Sequence, residues 1–222
     1  MSLAKETFMQ IKRLTNCLIQ YSICNDQNVP IKRPNVQEWS TCRIGIQTTN
    51  LTSALKNVEY AEMYHVMSEN RNYNFRLIDG ALIMLQYEFE EDVIIRHTLS
   101  YYPNPDILSY QDNEDLYLDD ELYSDITDKR IMIVPLRFDY DGRANSFVDV
   151  VHPKSHFTLG QFEKCRIPVT RPLMPCQFVH FILRNFYNSL YMEYQTKIYN
   201  ADLCFDLTIS DNEKRIIHVS IQ

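Results

Sequence analysis

The sequence of 222 residues is 45% apolar and carries a formal net charge of −7, which is the composition of a soluble globular protein. Its four glycines are too few for a glycine-rich phosphate-binding loop, and its longest apolar run, the six residues Ile131–Leu136, is far shorter than the about 20 that a membrane helix needs. The N-terminal residues lack the apolar stretch of a secretory signal peptide, so we predict a cytoplasmic protein with no membrane contact.

The helices are predicted from apolar side chains that recur every three or four residues. Phe8, Ile11 and Leu14 begin such a pattern near the N-terminus. Pro175 suits the first turn of a later helix, because proline lacks the N–H group that a first turn leaves unpaired. The helices predicted in this way cover residues 3–24, about 50–68 and 174–195.

The strands are predicted from an apolar period that changes to two at Phe75, with turn-forming pairs such as Asp79-Gly80 between them. They cover residues 43–48, 75–79, 81–90, 93–101, 130–139, 147–151, 156–159, 203–209 and 215–221, the last two as a hairpin. Helices and strands do not alternate regularly, so we predict an α+β fold with a mostly antiparallel sheet, helices packed on it, and a single domain over residues 1–222.

The negative charge is concentrated in one internal segment, residues 106–128. Nine acidic residues and no Lys or Arg lie from Asp106 to Asp128, so the rest of the chain holds 20 acidic against 22 basic residues, a net charge of +2. Like charges repel one another, which favours a solvated loop that leaves the fold as an internal excursion. Leu and Tyr side chains are interspersed with the acids, and the alternative is a docking surface for a protein partner or a mask over a basic groove.

Side chains capable of acid–base chemistry are densest in the second half of the chain. His152, Lys154, His156 and Arg166 lie within 15 residues of one another, and His97 can join them from a neighbouring strand. Histidine transfers protons near neutral pH, while arginine and lysine stabilise developing negative charge. We therefore hypothesise a catalytic site of these five residues that acts on nucleic acid, with metal-independent RNA cleavage as its reaction and no cofactor.

A metal site is one alternative for the same segment. Its ligands would be His152 and His156, with Asp139 or Asp149 from across a hairpin. On a straight strand the two histidines would lie roughly 13 Å apart, too far for one metal, so this alternative requires a turn after His152.

Two further alternatives use the same residues differently. His156-Phe157-Thr158 and His218-Val219-Ser220 both have the His-x-Thr/Ser pattern that two-histidine phosphoesterases place on facing strands. In the other alternative the protein is a non-catalytic interaction module, in which Tyr and Phe side chains line a partner groove and the acidic segment sets specificity.

Several spaced motifs resemble the uncharacterised bacterial family known as domain of unknown function 2290, and the resemblance extends from about residue 35 onward. They are His152 to Pro168, Pro172 to Asn188, Gln86-Tyr87-Glu88-Phe89, His97-Thr98-Leu99 and Tyr101-Tyr102-Pro103. This resemblance implies no particular reaction, because the family has no assigned activity.

A tyrosine-rich hairpin followed by a histidine-rich turn is also similar to TumE-type toxin components of bacterial toxin–antitoxin pairs. The residues concerned are Tyr87, Arg96, His97, Tyr101, His152 and His156. This second resemblance implies a toxin- or defence-type role, with an antitoxin or complex subunit as protein partner and RNA as substrate.

Overall fold

The computed structural model describes residues 2–34, 41–46, 58–112, 125, 134–162 and 164–222. A short 3₁₀ turn, Glu213–Arg215, follows the last helix. The helices and strands are, in chain order, α1 (Leu3–Gln20), β1 (Cys24–Gln27), β2 (Ile31–Pro34), β3 (Thr41–Gly45), α2 (Tyr60–Glu69), β4 (Phe75–Leu77), β5 (Leu82–Glu90), β6 (Val93–Tyr102), α3 (Leu108–Gln111), β7 (Leu136–Asp141), β8 (Ser155–Leu159), β9 (Ile167–Pro168), α4 (Pro175–Phe186) and α5 (Asn188–Tyr194).

The strands in the described part of the chain form one nine-stranded sheet. Its order is β1-β4-β5-β6-β7-β8-β9, and the β2–β3 hairpin attaches to the end of β5 that β4 leaves free. All of these strand pairs are antiparallel. The predicted α+β fold with a mostly antiparallel sheet is therefore confirmed.

The two faces of the sheet differ in polarity, because successive side chains of a strand point to opposite sides. In β7, Leu136, Phe138 and Tyr140 are buried, whereas Arg137 and Asp139 alternate with them on the other face. The apolar face packs against α1 and α4 and forms the main core. On the polar face, α2 covers the end formed by the start of β5, and the described residues leave the remainder of this face open.

Gly45 lies where the backbones of β3 and β5 come closest. Its φ of +143° is one that side-chain-bearing residues rarely adopt, and a Cβ there would lie 2.6 Å from the Leu85 carbonyl oxygen. We expect Gly45→Ala to lower the free energy of unfolding by at least about 2 kcal/mol, measured by urea denaturation. Gly160→Ala is the matched control, because φ is also positive there but a Cβ would meet only the Phe162 ring. A cost at Gly45 no larger than that at Gly160 would contradict the backbone clash.

The Asp79-Gly80 turn between β4 and β5 is fixed by two tyrosines, Tyr64 of α2 and Tyr187 at the junction of α4 and α5. Buried Asp79 accepts hydrogen bonds from the Tyr187 hydroxyl (2.8 Å) and from the Ala81 backbone N–H (3.0 Å). The Tyr64 hydroxyl of α2 donates to the Gly80 carbonyl oxygen at 2.6 Å. The turn therefore links the sheet to elements on both of its faces.

Helix α1 begins directly against the turn between β5 and β6. Asp92, at φ +72°, accepts hydrogen bonds from the Ser2 hydroxyl (2.6 Å) and from the backbone N–H groups of Leu3 (2.9 Å) and Ala4 (2.8 Å). A carboxylate at this position satisfies unpaired N–H groups and complements the helix dipole. The predicted helix 3–24 is too long, because the chain reverses at Ser22 (φ +55°) and enters β1.

Residues 147–151 are not the strand that their apolar pattern predicts. Val150 has a φ of +66°, and one isolated bridge between Val148 and His152 closes a tight loop. The carboxylate of Asp149 is bound to residues near the C-terminus instead of facing a neighbouring strand. The next predicted strand, 156–159, is confirmed as β8.

The predictions for the last part of the chain are partly wrong. The helix predicted over 174–195 is two helices, because Tyr187 (φ −135°, ψ 52°) leaves the helical conformation. The hairpin of 203–209 and 215–221 is absent: no ladder joins the two segments, Arg215 ends the 3₁₀ turn, and Val219 forms a parallel bridge with Val169.

Several predicted elements fall mostly outside the described residues. Of the helix predicted over 50–68, the structure describes residues from 58 onward; of the strand 130–139, it describes residues from 134 onward. Of the acidic segment 106–128 it describes 106–112, which contain α3, and Asp125, whose carboxylate accepts a hydrogen bond from the Ser189 backbone N–H.

Candidate functional site

The open part of the polar face is the floor of a cavity of about 970 Å³. Strands β5, β6 and β7 form the floor, the β2–β3 hairpin one wall, and residues around β8 the other. The volume lies within the usual range for ligand sites, and the lining is rich in charge. Its charged and imidazole-bearing residues are Arg33, Arg43, Arg96, Arg137, Arg166, Glu88, Asp139, Asp141, His97, His152 and His156.

The strand register aligns many of these charges in one row. Arg33 lies opposite Arg43, Arg43 opposite Glu88, Glu88 opposite Arg96, and Arg96 opposite Asp141. Neighbouring strands are about 4.8 Å apart, so the row crosses the cavity floor over roughly 19 Å.

Two of the five cavity arginines are neutralised by the sheet itself. Arg43 Nε donates to Glu88 Oε1 at 2.9 Å, and Arg137 Nε donates to Asp139 Oδ2 at 2.5 Å. Within the part of the chain that the structure describes, the guanidinium groups of Arg33, Arg96 and Arg166 form no ion pair. With five arginines and three carboxylates, the described lining has a formal net charge of +2, imidazoles not counted.

His152 and His156 form a pair at the wall beside β8. Their ring centroids are 5.1 Å apart, with the rings inclined at 61°. The chain bends between them at Pro153 and Lys154, as a shared site requires, so the extended separation of a strand does not apply. The His156 ring is buried, and that of His152 is partly buried.

The tautomer of neutral His156 follows from its neighbours. Nδ1 lies 3.0 Å from the Pro153 carbonyl oxygen, which can only accept, so Nδ1 carries the proton and Nε2 holds the free lone pair. That Nε2 lies 3.7 Å from Asp139 Oδ2. Asp139 is itself held by the Thr98 hydroxyl (3.1 Å) and by Arg137.

The environment keeps both imidazoles neutral near pH 7. Burial lowers the pKa of His156, and although the Asp139 carboxylate opposes this effect it does not reverse it. Burial and the neighbouring Arg166 guanidinium likewise lower the pKa of His152. A neutral imidazole in a cavity of positive charge can accept a proton from a bound substrate.

The other residues predicted for the site are placed differently. The ring of His97 lies on the apolar face, where Nε2 accepts a hydrogen bond from the Leu173 N–H (3.1 Å), and burial lowers its pKa to about 4. Lys154 does not line the cavity, since its Nζ lies 4.5 Å from the centre of the Phe147 ring. Asp149 binds Ser210 and Asn212 outside the cavity.

His218 and the proposed metal ligands are not assembled into a site either. His218 is outside the cavity, with Nδ1 2.9 Å from the Ile216 carbonyl oxygen. In the described ranges, no three or more His, Cys, Asp or Glu side chains are grouped as a metal would require. Among the helices that the structure describes, none has the length and apolar character to cross a membrane.

Sequence reasoning missed Arg33, Arg43 and Arg137, and it named Arg96 only through the resemblance to TumE-type toxin components. Arg33 and Arg43 lie on consecutive strands that are distant in sequence from β6 and β7, so no local motif joins them to the rest of the cavity. The available signal was polar residues at every second position in β5, β6 and β7. That signal identifies a polar face, but only the strand register shows that the charges lie in one row.

The comparisons with known proteins give a family. A family model described as an uncharacterized conserved protein, DUF2290, matches residues 23–221. No curated protein and no solved structure matches the chain. Because the match covers nearly the whole sequence, the chain belongs to the DUF2290 family of uncharacterized conserved proteins.

Proposed function

We propose that this protein binds single-stranded RNA in the arginine-lined cavity and cleaves it with His152 and His156 as the proton-transfer pair. The observation that carries the proposal is the position of two imidazoles, whose ring centroids are 5.1 Å apart, in a cavity with three arginines that form no ion pair among the described residues. Guanidinium groups bind the phosphate of a phosphodiester, and a proton acceptor together with a proton donor promotes its cleavage.

The size and lining of the cavity favour a single strand over a duplex. A volume of about 970 Å³ accommodates a few nucleotides, far fewer than one turn of a duplex contains. The rings of Tyr87 and Tyr140 belong to the core on the apolar face, and half-buried Tyr102 lines the cavity from the polar face. Because arginines outnumber such rings in the lining, we expect recognition to depend mainly on the phosphate backbone, with little dependence on base sequence.

The reaction needs only groups of the chain and of the RNA. The ribose 2′-hydroxyl attacks the phosphorus, and the bond from phosphorus to the 5′-oxygen breaks. His156 Nε2 takes the proton of the 2′-hydroxyl, protonated His152 gives its proton to the leaving 5′-oxygen, and Arg166 stabilises the charge on the phosphorus oxygens. The products are a 2′,3′-cyclic phosphate and a 5′-hydroxyl.

These roles predict an acidic pH optimum. The acid must be protonated to act, and burial together with Arg166 lowers the pKa of His152 below its ordinary value of 6.5. The protonated fraction of His152 therefore rises as the pH falls below neutrality. Cleavage should be fastest on the acid side of pH 6.5, until His156 is protonated as well.

The test measures binding and cleavage of a fluorescein-labelled single-stranded RNA in EDTA. We expect cleavage without metal and a slope of about −2 for log affinity against log salt concentration, as three phosphate contacts require. Arg96→Ala should reduce that slope by about 0.7. His152→Gln should slow cleavage about 100-fold or more with little effect on affinity. Growth arrest on expression in bacteria would support the toxin-type role.

Controls separate this proposal from its alternative. Arg184→Ala removes an exposed arginine from α4, on the other side of the sheet, and should leave binding and cleavage unchanged. Single-stranded DNA of the same sequence should bind without being cut, because it lacks the 2′-hydroxyl. Equal effects of Arg96→Ala and Arg184→Ala, or cutting of the DNA, would contradict the site.

A second candidate function is the protein–protein interaction module. It is favoured by several large apolar side chains that are well exposed: Val148 (59%), Val151 (70%), Phe162 (74%) and Ile217 (89%). Contiguous exposed apolar groups are typical of interaction surfaces. A wild-type protein that neither binds nor cuts RNA would favour this function.

A further inference from the structure

Val150 has a backbone conformation that valine rarely adopts. Its φ of +66° lies in the left-handed region, where a β-branched side chain is a marked outlier. It lies two residues before His152, in the loop of residues 148–152. Strained backbone persists only where surrounding contacts hold it, and it is concentrated at functional sites.

The base of this loop is closed by the backbone. The Val148 N–H donates to the His152 carbonyl oxygen (2.9 Å), and the His152 N–H donates to the Val148 carbonyl oxygen (2.7 Å). Because both bonds involve the His152 backbone, the conformation of the loop decides where the His152 imidazole lies.

The tip of the loop is held by residues near the C-terminus. Asp149 Oδ1 accepts a hydrogen bond from the Ser210 hydroxyl (2.5 Å), and Oδ2 accepts one from the Asn212 amide (2.7 Å). The Val150 N–H points to buried Glu213 Oε1 at 3.5 Å. These contacts connect residues about 60 apart in sequence, so the strain is maintained by tertiary structure.

The supporting segment is itself rigid. Glu213 Oε2 accepts a hydrogen bond from the Ser210 N–H (2.9 Å), and the Ser210 hydroxyl accepts one from the Glu213 N–H (3.1 Å). This reciprocal arrangement is a capping box at the start of the 3₁₀ turn. Asp149 is therefore fixed against a preformed structure.

We infer that Asp149 is a positioning residue, whose hydrogen bonds to Ser210 and Asn212 hold the loop of residues 148–152 so that the His152 imidazole lies against His156. Its catalytic meaning rests on the proposed function, but the placement of the ring does not. Sequence reasoning predicted Asp149 as a metal ligand across a hairpin. The contacts assign it a role outside the cavity, through the backbone that carries His152.

The experiment follows the imidazole signals of the full chain by NMR, without RNA, as a function of pH. In wild type the rings of both histidines should titrate below pH 6.5. Asp149→Ala should release the loop, so that His152 moves away from Arg166 and titrates about half a pH unit or more closer to 6.5, while His156 is unchanged. The charged and titratable groups that face His152 are Arg166, Asp139, Asp141 and His156, and the substitution alters none of them.

Two control variants distinguish the loss of the Asp149 hydrogen bonds from the loss of its charge and from a general loss of structure in the segment. Asp149→Asn can keep both hydrogen bonds if the Asn212 amide flips, so it should titrate as wild type does. Asp211→Ala removes an exposed carboxylate of the same segment, whose ion pair is with Lys214, and should also have no effect. Equal shifts in Asp149→Ala and Asp149→Asn, or no shift in Asp149→Ala, would overturn the inference.

The RNA assay provides a separate readout. If the protein cleaves RNA, Asp149→Ala should lower kcat about 100-fold with KM nearly unchanged, since a displaced group still permits binding. If wild type does not cleave RNA, the proposed function fails, and the shift of the His152 titration still decides the positioning role. If wild type cleaves RNA and the Asp149→Ala variant cleaves it with the same kcat, the inference is wrong.

Discussion

Replacing Asp79 by alanine is expected to lower the free energy of unfolding by about 2–5 kcal/mol. The substitution leaves the Tyr187 hydroxyl and the Ala81 N–H without their acceptor, and both lie in the interior. The Tyr187 hydroxyl is also hydrogen-bonded to that of Tyr101, 3.1 Å away, so the loss extends into the contact between α4 and β6. Urea denaturation monitored by circular dichroism measures the effect.

A double-mutant cycle tests whether this cost comes from the Asp79–Tyr187 hydrogen bond. Tyr187→Phe alone should cost about 1–3 kcal/mol, and the double variant should cost less than the sum of the two. Asp206→Ala, at an exposed carboxylate, serves as a control with little expected change. Additive costs in the cycle would show that the two side chains act independently.

The second large effect is a loss of stability in acid. Burial lowers the pKa of His97 from 6.5 to about 4. Between these two values the unfolded chain binds more protons than the folded one, so the free energy of unfolding falls as the pH falls. Between pH 7 and pH 4 the titration of His97 alone should lower the free energy of unfolding by about 3 kcal/mol. Its contribution to that free energy is fully present above pH 6.5 and is lost as the pH falls towards 4.

His97→Gln isolates this contribution. The glutamine side-chain oxygen can accept the hydrogen bond that the Leu173 N–H now donates to His97 Nε2, and glutamine does not titrate. The variant should therefore lose about 3 kcal/mol less than wild type between pH 7 and pH 4, as measured by urea denaturation at each pH. Buried His156 and half-buried His180, whose pKa values are also lowered by desolvation, act in the same direction in both proteins. Identical pH dependence in wild type and variant would refute the role of His97.

The part of the fold that the sequence predicts well is the part set by local periodicity. Strands β5 and β6 are nine and ten residues long, and apolar and polar side chains alternate in the second half of β5, from Leu85 to Glu90, and in the middle of β6, so that both are predicted within about one residue. The segment 147–151 alternates as well, but Asp149 binds residues that are distant in sequence and Val150 takes a left-handed φ. A local pattern contains no information about such tertiary contacts.

The candidate site, like the fold, is only partly predictable from local sequence. His152, His156 and Arg166 could be selected because they are close in sequence, and they line one cavity. The same criterion selected Lys154, whose side chain instead covers the Phe147 ring. His97 was selected because it lies on a neighbouring strand. Its ring lies on the apolar face, however, and the next residue, Thr98, is the one whose side chain contacts Asp139 on the polar face. Proximity in sequence therefore finds the neighbourhood of a site, whereas strand register decides which side chains reach it.

The contact of Asp92 with the start of α1 has a consequence for folding during synthesis. The Ala4 N–H and the Asp92 carboxylate are 88 residues apart, so α1 leaves the ribosome long before this carboxylate is made, with Ser2 alone as its N-cap. At typical rates of elongation this interval is roughly 4–18 s, far longer than a helix needs to form and melt. During that time the apolar stripe of α1, which includes Ile11 and Leu14, has no sheet to cover it. Nascent α1 is thus an amphipathic segment whose apolar stripe stays exposed until the β5–β6 hairpin emerges.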